Sequence, residues 1–162
     1  MPVWVFSCDL RGFLGWGIRF RTNGIFNHVM MMRRQGKFAT QNLTFREVPI
    51  DKYNIHSNIM EFWTCINMPD EVKCRIRLEI TKQLKESVWK RFYDVLGIFG
   101  QAVGLRWIQL PWFNYCTERV GRPTRVILPD LPKRLTPKEM REYFRGHPYQ
   151  MKCLGQYVPR IP

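Results

Sequence analysis

The strongest constraint on the fold is the change in hydrophobic period near Pro69. Before it, short apolar runs read as extended chain: "PVWVF", "IFNHVMMMRR", "KFATQ", "FREVPI" and "NIMEFWTCIN". After it, Val72, Ile76, Ile80 and Leu84 recur every four residues, which lays one apolar stripe along a helix. Pro69 suits the opening of that helix, and Asp70 and Glu71 sit where acids suit its positive end. The elements do not alternate in regular βαβ units, so an α+β class is expected rather than a doubly wound sheet.

Gln35-Gly36 marks a hairpin turn between two of the extended runs. A break is expected near Ser87, then a second apolar helix in "FYDVLGIFGQAVG", then a helix starting at Cys116. In the tail, Thr136 is the N-cap of a further helix, Pro137 its first residue and Glu139 the partner in a capping box, with Gly146 ending it. With 162 residues, one domain with a full core is expected.

Lys and Arg number 26 against 13 Asp and Glu, a net charge of +13, which points to an anionic partner: cell wall, membrane or nucleic acid. Apolar residues at 45% exclude a disordered chain. The five cysteines, Cys8, Cys65, Cys74, Cys116 and Cys153, are odd in number and lack a CxxC pair. That excludes a complete internal disulfide framework and a zinc ribbon. A reducing, cytoplasmic compartment is expected, with all but Cys116 serving as small packing residues. The start shows no secretory signal, and no apolar run approaches the length of a membrane span. Met30-Met31-Met32 reads as strand packing rather than a metal box.

"PWFNYCTERVGR" sets a single thiol where an aromatic segment meets a helix start. A helix N-terminus favours thiolate, and its free N–H groups can hold an oxyanion. Arg119 and Arg122 lie close by in sequence and push the same way. Of three histidines, His28 is on a core-like strand, His56 in a loop and His147 in an exposed Gly-His-Pro turn. A base needs a rigid support, which selects His28, although spacing alone favours reading both Cys116 and His28 as packing residues.

The order of the segments adds more. Ile18-Arg19-Phe20 with Thr22 to Gly24, then "IFNHV", "FYDVLGIFG" and "YCTERV", resembles the circularly permuted NlpC/P60 group of papain-like cysteine hydrolases. That group includes the YiiX-like and lecithin–retinol acyltransferase-like proteins. The resemblance covers about residues 3 to 122. It implies a small antiparallel sheet or barrel packed against helices, in a single domain over 1–162 with 123–162 as a C-terminal extension.

The resemblance also implies roles. Cys116 would be the nucleophile and His28 the general base. The third group, from the following strand, would be Gln41 or, second, Thr40, with register deciding. Many relatives carry a Glu there, and this chain does not. Tyr93 and Asp94 would border the site, or else begin a helix with Asp in its first turn. Read from the residues themselves, Trp112 and Tyr115, in the aromatic segment before Cys116, would line a substrate groove or else pack the core. The expected activity is hydrolysis of an amide bond in a peptidoglycan or isopeptide-like substrate through an acyl-enzyme, with no cofactor or metal. The alternatives are lipid or thioester acyl hydrolysis or transfer at a membrane surface, and a non-catalytic basic nucleic-acid-binding module. A cationic wall hydrolase of this kind would suit a bacteriophage, acting from the host cytoplasm or the virion.

Overall fold

The computed structural model describes residues 1–9, 25–34, 36–41, 44–50, 58–87 and 116–158. Six strands, β1 (Val3–Asp9), β2 (His28–Arg34), β3 (Lys37–Gln41), β4 (Phe45–Pro49), β5 (Asn58–Cys65) and β6 (Met151–Tyr157), form one antiparallel sheet in the order β4-β3-β2-β1-β5-β6. Among the described residues three helices accompany it: α1 (Asp70–Lys85), α2 (Cys116–Thr124) and α3 (Pro137–Arg145). The α+β architecture agrees with the sequence reading.

Each element has a local cause. The β2–β3 hairpin turns through Gly36 at φ 78°, a conformation in which a side chain would be strained. In α1, Pro69 is the N-cap rather than the first helical residue, and the stripe holds: Ile76 and Ile80 are buried, with Val72 and Leu84 packed beside them. Glu86 caps the other end, next to the expected break. In α3 the capping box forms as expected, with Glu139 N–H donating to Thr136 Oγ1 and Thr136 N–H donating to Glu139 Oε2. Gly146 closes this helix at φ −69°, so its use there does not depend on the left-handed region.

The sheet has two buried faces. In the register Trp4 pairs with Met31 and Phe6 with Val29, while Val5 pairs with Met30 and Ser7 with His28. Side chains alternate along a strand. Trp4, Phe6, Cys8, Val29, Met31, Ala39 and Trp63 therefore share one face, and all three helices pack on it through Ile76, Ile80, Val120, Met140 and Phe144. Phe144 is the centre of this layer, edge-on to Trp4, Phe6 and Trp63 at centroid distances of 6.0, 5.6 and 5.9 Å. Val5, Met30, Phe38 and Met60 form a second cluster on the opposite face.

A buried ion pair fastens α3 to the sheet. Arg141 donates from Nε and Nη2 to the two oxygens of Glu61 at 2.6 Å each, and Trp63 Nε1–H donates to Glu61 Oε1 at 2.6 Å. Burial by itself would raise the Glu61 carboxyl; these donors outweigh it and hold the group below its ordinary value. The tail thus does more than lie on the sheet: α3 closes the core and β6 extends β5 as an edge strand.

Two expectations about cysteines change. Cys8 and Cys65 are buried, but Cys74 and Cys153 are exposed. Cys74 is half a turn away from the buried Ile76 and so faces outward. Cys153 is on β6, whose residues after Met151 are all exposed.

Candidate functional site

Cys116 is the first described residue of α2 and is buried at 3% exposure among the helix-side apolar residues. Its helix packs against β2, β3 and α1. The sequence places a proline inside this helix, Pro123. A proline lacks the N–H that would bond the carbonyl four residues back, here that of Arg119. Buried Gln83, reaching from α1, supplies the missing donor: its Nε2 donates to the Arg119 oxygen at 3.2 Å. Thr124 donates to the Val120 carbonyl at 2.6 Å and accepts from Trp4 Nε1 at 2.7 Å, which ties the far end of α2 to β1.

Arg119, expected to favour a thiolate, has another employment. Its guanidinium is fully buried over the Phe45 ring and donates to Glu86 Oε2, while Arg122 donates to Glu86 Oε1 at 3.1 Å. Glu86 is thus the shared carboxylate partner of both guanidiniums. The arrangement clamps α2 to the end of α1. Sequence reasoning missed it; the available signal was the pairing of a helix-breaking Pro123 with a polar Gln83 on the buried side of α1.

His28 is the first residue of β2. Its Nε2 is 2.6 Å from Thr40 Oγ1. The residue reaches the surface in part, but the ring is desolvated, and burial lowers its pKa from 6.5 to about 4. The ring is therefore neutral at neutral pH. Register settles the neighbour on β3. Thr40, the second choice from sequence, reaches the ring. Gln41, the first choice, is one residue further and turned to the other side of the sheet, with Ala39 and the helices.

The same alternation bears on the expected pair. His28 shares its face with Met30, and Thr40 shares its face with Phe38, while Cys116 belongs to the cluster containing Val29, Met31 and Ala39. The sheet thus separates the described positions of the imidazole and the thiol. Tyr93, Asp94, Trp112, Tyr115 and His56 lie outside the described residues. His147, expected to be exposed, is partly buried, stacked on Tyr143 at 4.2 Å with Nδ1 2.8 Å from the Tyr143 carbonyl oxygen. Among the described residues no group of three or more His, Cys, Asp or Glu could hold a metal ion. Nor is any described helix long and apolar enough to cross a membrane.

The sequence matches no family model and no curated protein. The fold does match a solved structure, that of metalloprotein yiiX from Escherichia coli O157:H7, DUF1105. The similarity has a TM-score of 0.57 at 13% identity and covers 98% of this chain and 97% of that chain. In fold, then, the chain is an α+β domain similar to that of yiiX.

Proposed function

We propose that the chain is a thiol hydrolase or acyltransferase, with Cys116 as nucleophile and His28 as general base. The observation that carries this reading is a cysteine at the start of the described part of a helix packed on the His28 strand, within a YiiX-like sheet. The favoured substrate is an amide, in a peptidoglycan or isopeptide-like peptide; a lipid or thioester acyl group is the alternative, since the carbonyl chemistry is shared.

The chemistry needs a neutral imidazole with one nitrogen free. Burial keeps His28 neutral, and the ring must gain basicity on meeting the thiol, because an imidazole with a pKa near 4 is a weak base at neutral pH. If Nε2–H donates to Thr40, the lone pair is left on Nδ1. Nδ1 takes the thiol proton, the thiolate adds to the carbonyl, and backbone N–H groups near Cys116 hold the oxyanion. The imidazolium gives its proton to the leaving amine or alcohol as the carbonyl–heteroatom bond breaks, and water then attacks the acyl-enzyme. Thr40 orients the ring but adds no negative charge. The proposal carries a conformational requirement: the His28 ring must leave the face it shares with Thr40 to meet the thiol, so Thr40 sets the tautomer of the resting ring and releases it before proton transfer.

A second reading follows from the opposite placement of the two groups. In it the chain is a non-catalytic basic module for an anionic partner, and both residues are packing.

Alkylation separates the two. Wild-type protein is treated with limiting iodoacetamide at neutral pH, and each cysteine is followed by mass spectrometry. The hydrolase reading expects Cys116 to label ahead of the exposed Cys74 and Cys153, and His28→Ala to remove that advantage. Hydrolysis of activated esters should fall at least a hundredfold in Cys116→Ala and in His28→Ala (general-base catalysis alone contributes about 10²–10⁴-fold). Labelling confined to Cys74 and Cys153, with Cys116 inert, favours the binding module.

A further inference from the structure

We infer that the outward face of α1 docks on an anionic lipid surface, a proposal independent of the hydrolase reading. α1 is amphipathic in an unusual sense. Its inner stripe is seated in the core through Ile76, Ile80 and Gln83. Its outer arc is centred on Leu78, which is 63% exposed. At about 100° per residue, Arg75, Lys82, Lys85 and Cys74 all fall within about 60° of Leu78. All four are exposed, and exposed Arg77 flanks them.

Among the described residues the four cations on and beside this arc are not held in close ion pairs, although Asp70 feels the field of Arg77. The ion pairs that α1 and its cap make among the described residues are Lys73 with Asp70, at the first turn, and Glu86 with Arg119 and Arg122, on the inner side. None of Arg75, Arg77, Lys82 and Lys85 is in an ion pair among the described residues. Glu71 lies on the same arc, and Asp70 and Glu79 flank it as Arg77 does, so the cations outnumber the acids only modestly.

Charge complementarity calls for an anionic partner. The centre of the patch identifies which kind. A nucleic-acid backbone has no use for an exposed aliphatic side chain between cations, and the arc carries no aromatic residue on which a base could stack. A lipid surface uses both: headgroups take the cations, and Leu78, with the thiol of Cys74 beside it, enters the acyl boundary. The helix itself stays docked to its own core and lies flat on the membrane.

The test is co-flotation with mixed phosphatidylcholine–phosphatidylserine vesicles at physiological ionic strength, with pure phosphatidylcholine vesicles and duplex DNA as the other arms. Wild-type protein should be retained on the anionic vesicles and not on the neutral ones. Each neutralised cation should cost about fivefold in partitioning, so Arg75→Gln/Lys82→Gln/Lys85→Gln should cost about a hundredfold. Leu78→Ser should weaken vesicle retention severalfold and leave DNA binding unchanged. Lys37→Gln/Lys133→Gln/Lys152→Gln removes the same charge from exposed sites elsewhere, and should cost several times less than the α1 triple. The proposal fails if the two triples are equivalent, if anionic vesicles do not retain the protein, or if Leu78→Ser is neutral while the α1 triple abolishes DNA binding.

Discussion

At the residue scale the sharpest quantity is the His28 titration. Its ring is held neutral by burial, with a pKa near 4 against 6.5 in the unfolded chain. The folded state therefore binds fewer protons than the unfolded state between those values. Stability from this group is complete above pH 6.5, falls as the pH drops through that window, and loses nothing further below pH 4. The full loss is about 3 kcal/mol. Glu61 acts in the same sense at lower pH, because its carboxyl is held down by Arg141 and Trp63. Denaturant melts from pH 7 to pH 4 should show this loss, and His28→Gln should flatten the curve between pH 6.5 and 4. A histidine C2 proton that titrates near 6.5 in folded protein, and is absent in His28→Gln, would contradict the burial argument.

The element that matters most is α2, because it carries the thiol and depends on α1 for its integrity. Gln83→Leu keeps the volume but removes the donor to the Arg119 carbonyl, leaving that oxygen short of the partner Pro123 denied it. The expected cost is about 1–3 kcal/mol. Glu86→Ala removes the carboxylate that buried Arg119 meets, and the expected cost is larger, about 3–5 kcal/mol. Urea melts of both variants check the order. If Gln83→Leu were neutral, the carbonyl would be satisfied another way.

These couplings mark where legibility in the sequence ended. The α1 stripe and the α3 capping box could be read because each is written in residues three or four apart. The strands could be read because apolar, β-prone runs ended in turns. The face on which His28 points could not be read. It follows from which residue of β1 stands opposite, and shifting that pairing by one residue would send the ring to the other side of the sheet. The Arg119–Glu86 pair could not be read for a related reason: the partners are 33 residues apart in the chain.

At the scale of the whole molecule the question is whether residues 123–162 are an appendage. β6 was invisible to periodicity because an edge strand exposed on both sides has no reason to alternate; Met151 alone is buried along it. Yet the layer beneath it is not optional. Phe144 and Met140 are fully buried, Phe144 touches three aromatic rings of the sheet, and Arg141 answers a Glu61 that is 4% exposed. A chain ending at Leu135 would lose about 3–5 kcal/mol for the Phe144 ring and about 2–5 kcal/mol for Met140 by analogy with core truncations. It would also bury an unpaired carboxylate or expose it by opening β5. Against a total stability of about 5–15 kcal/mol, that is enough to unfold a single cooperative unit. The expectation is one transition in the calorimetric melt of the full chain, and no near-ultraviolet dichroism from the 1–135 fragment. A fragment that kept its tertiary spectrum and melted cooperatively would show that the sheet from β4 to β5 closes its own core, and that α3 and β6 were added to a fold already complete.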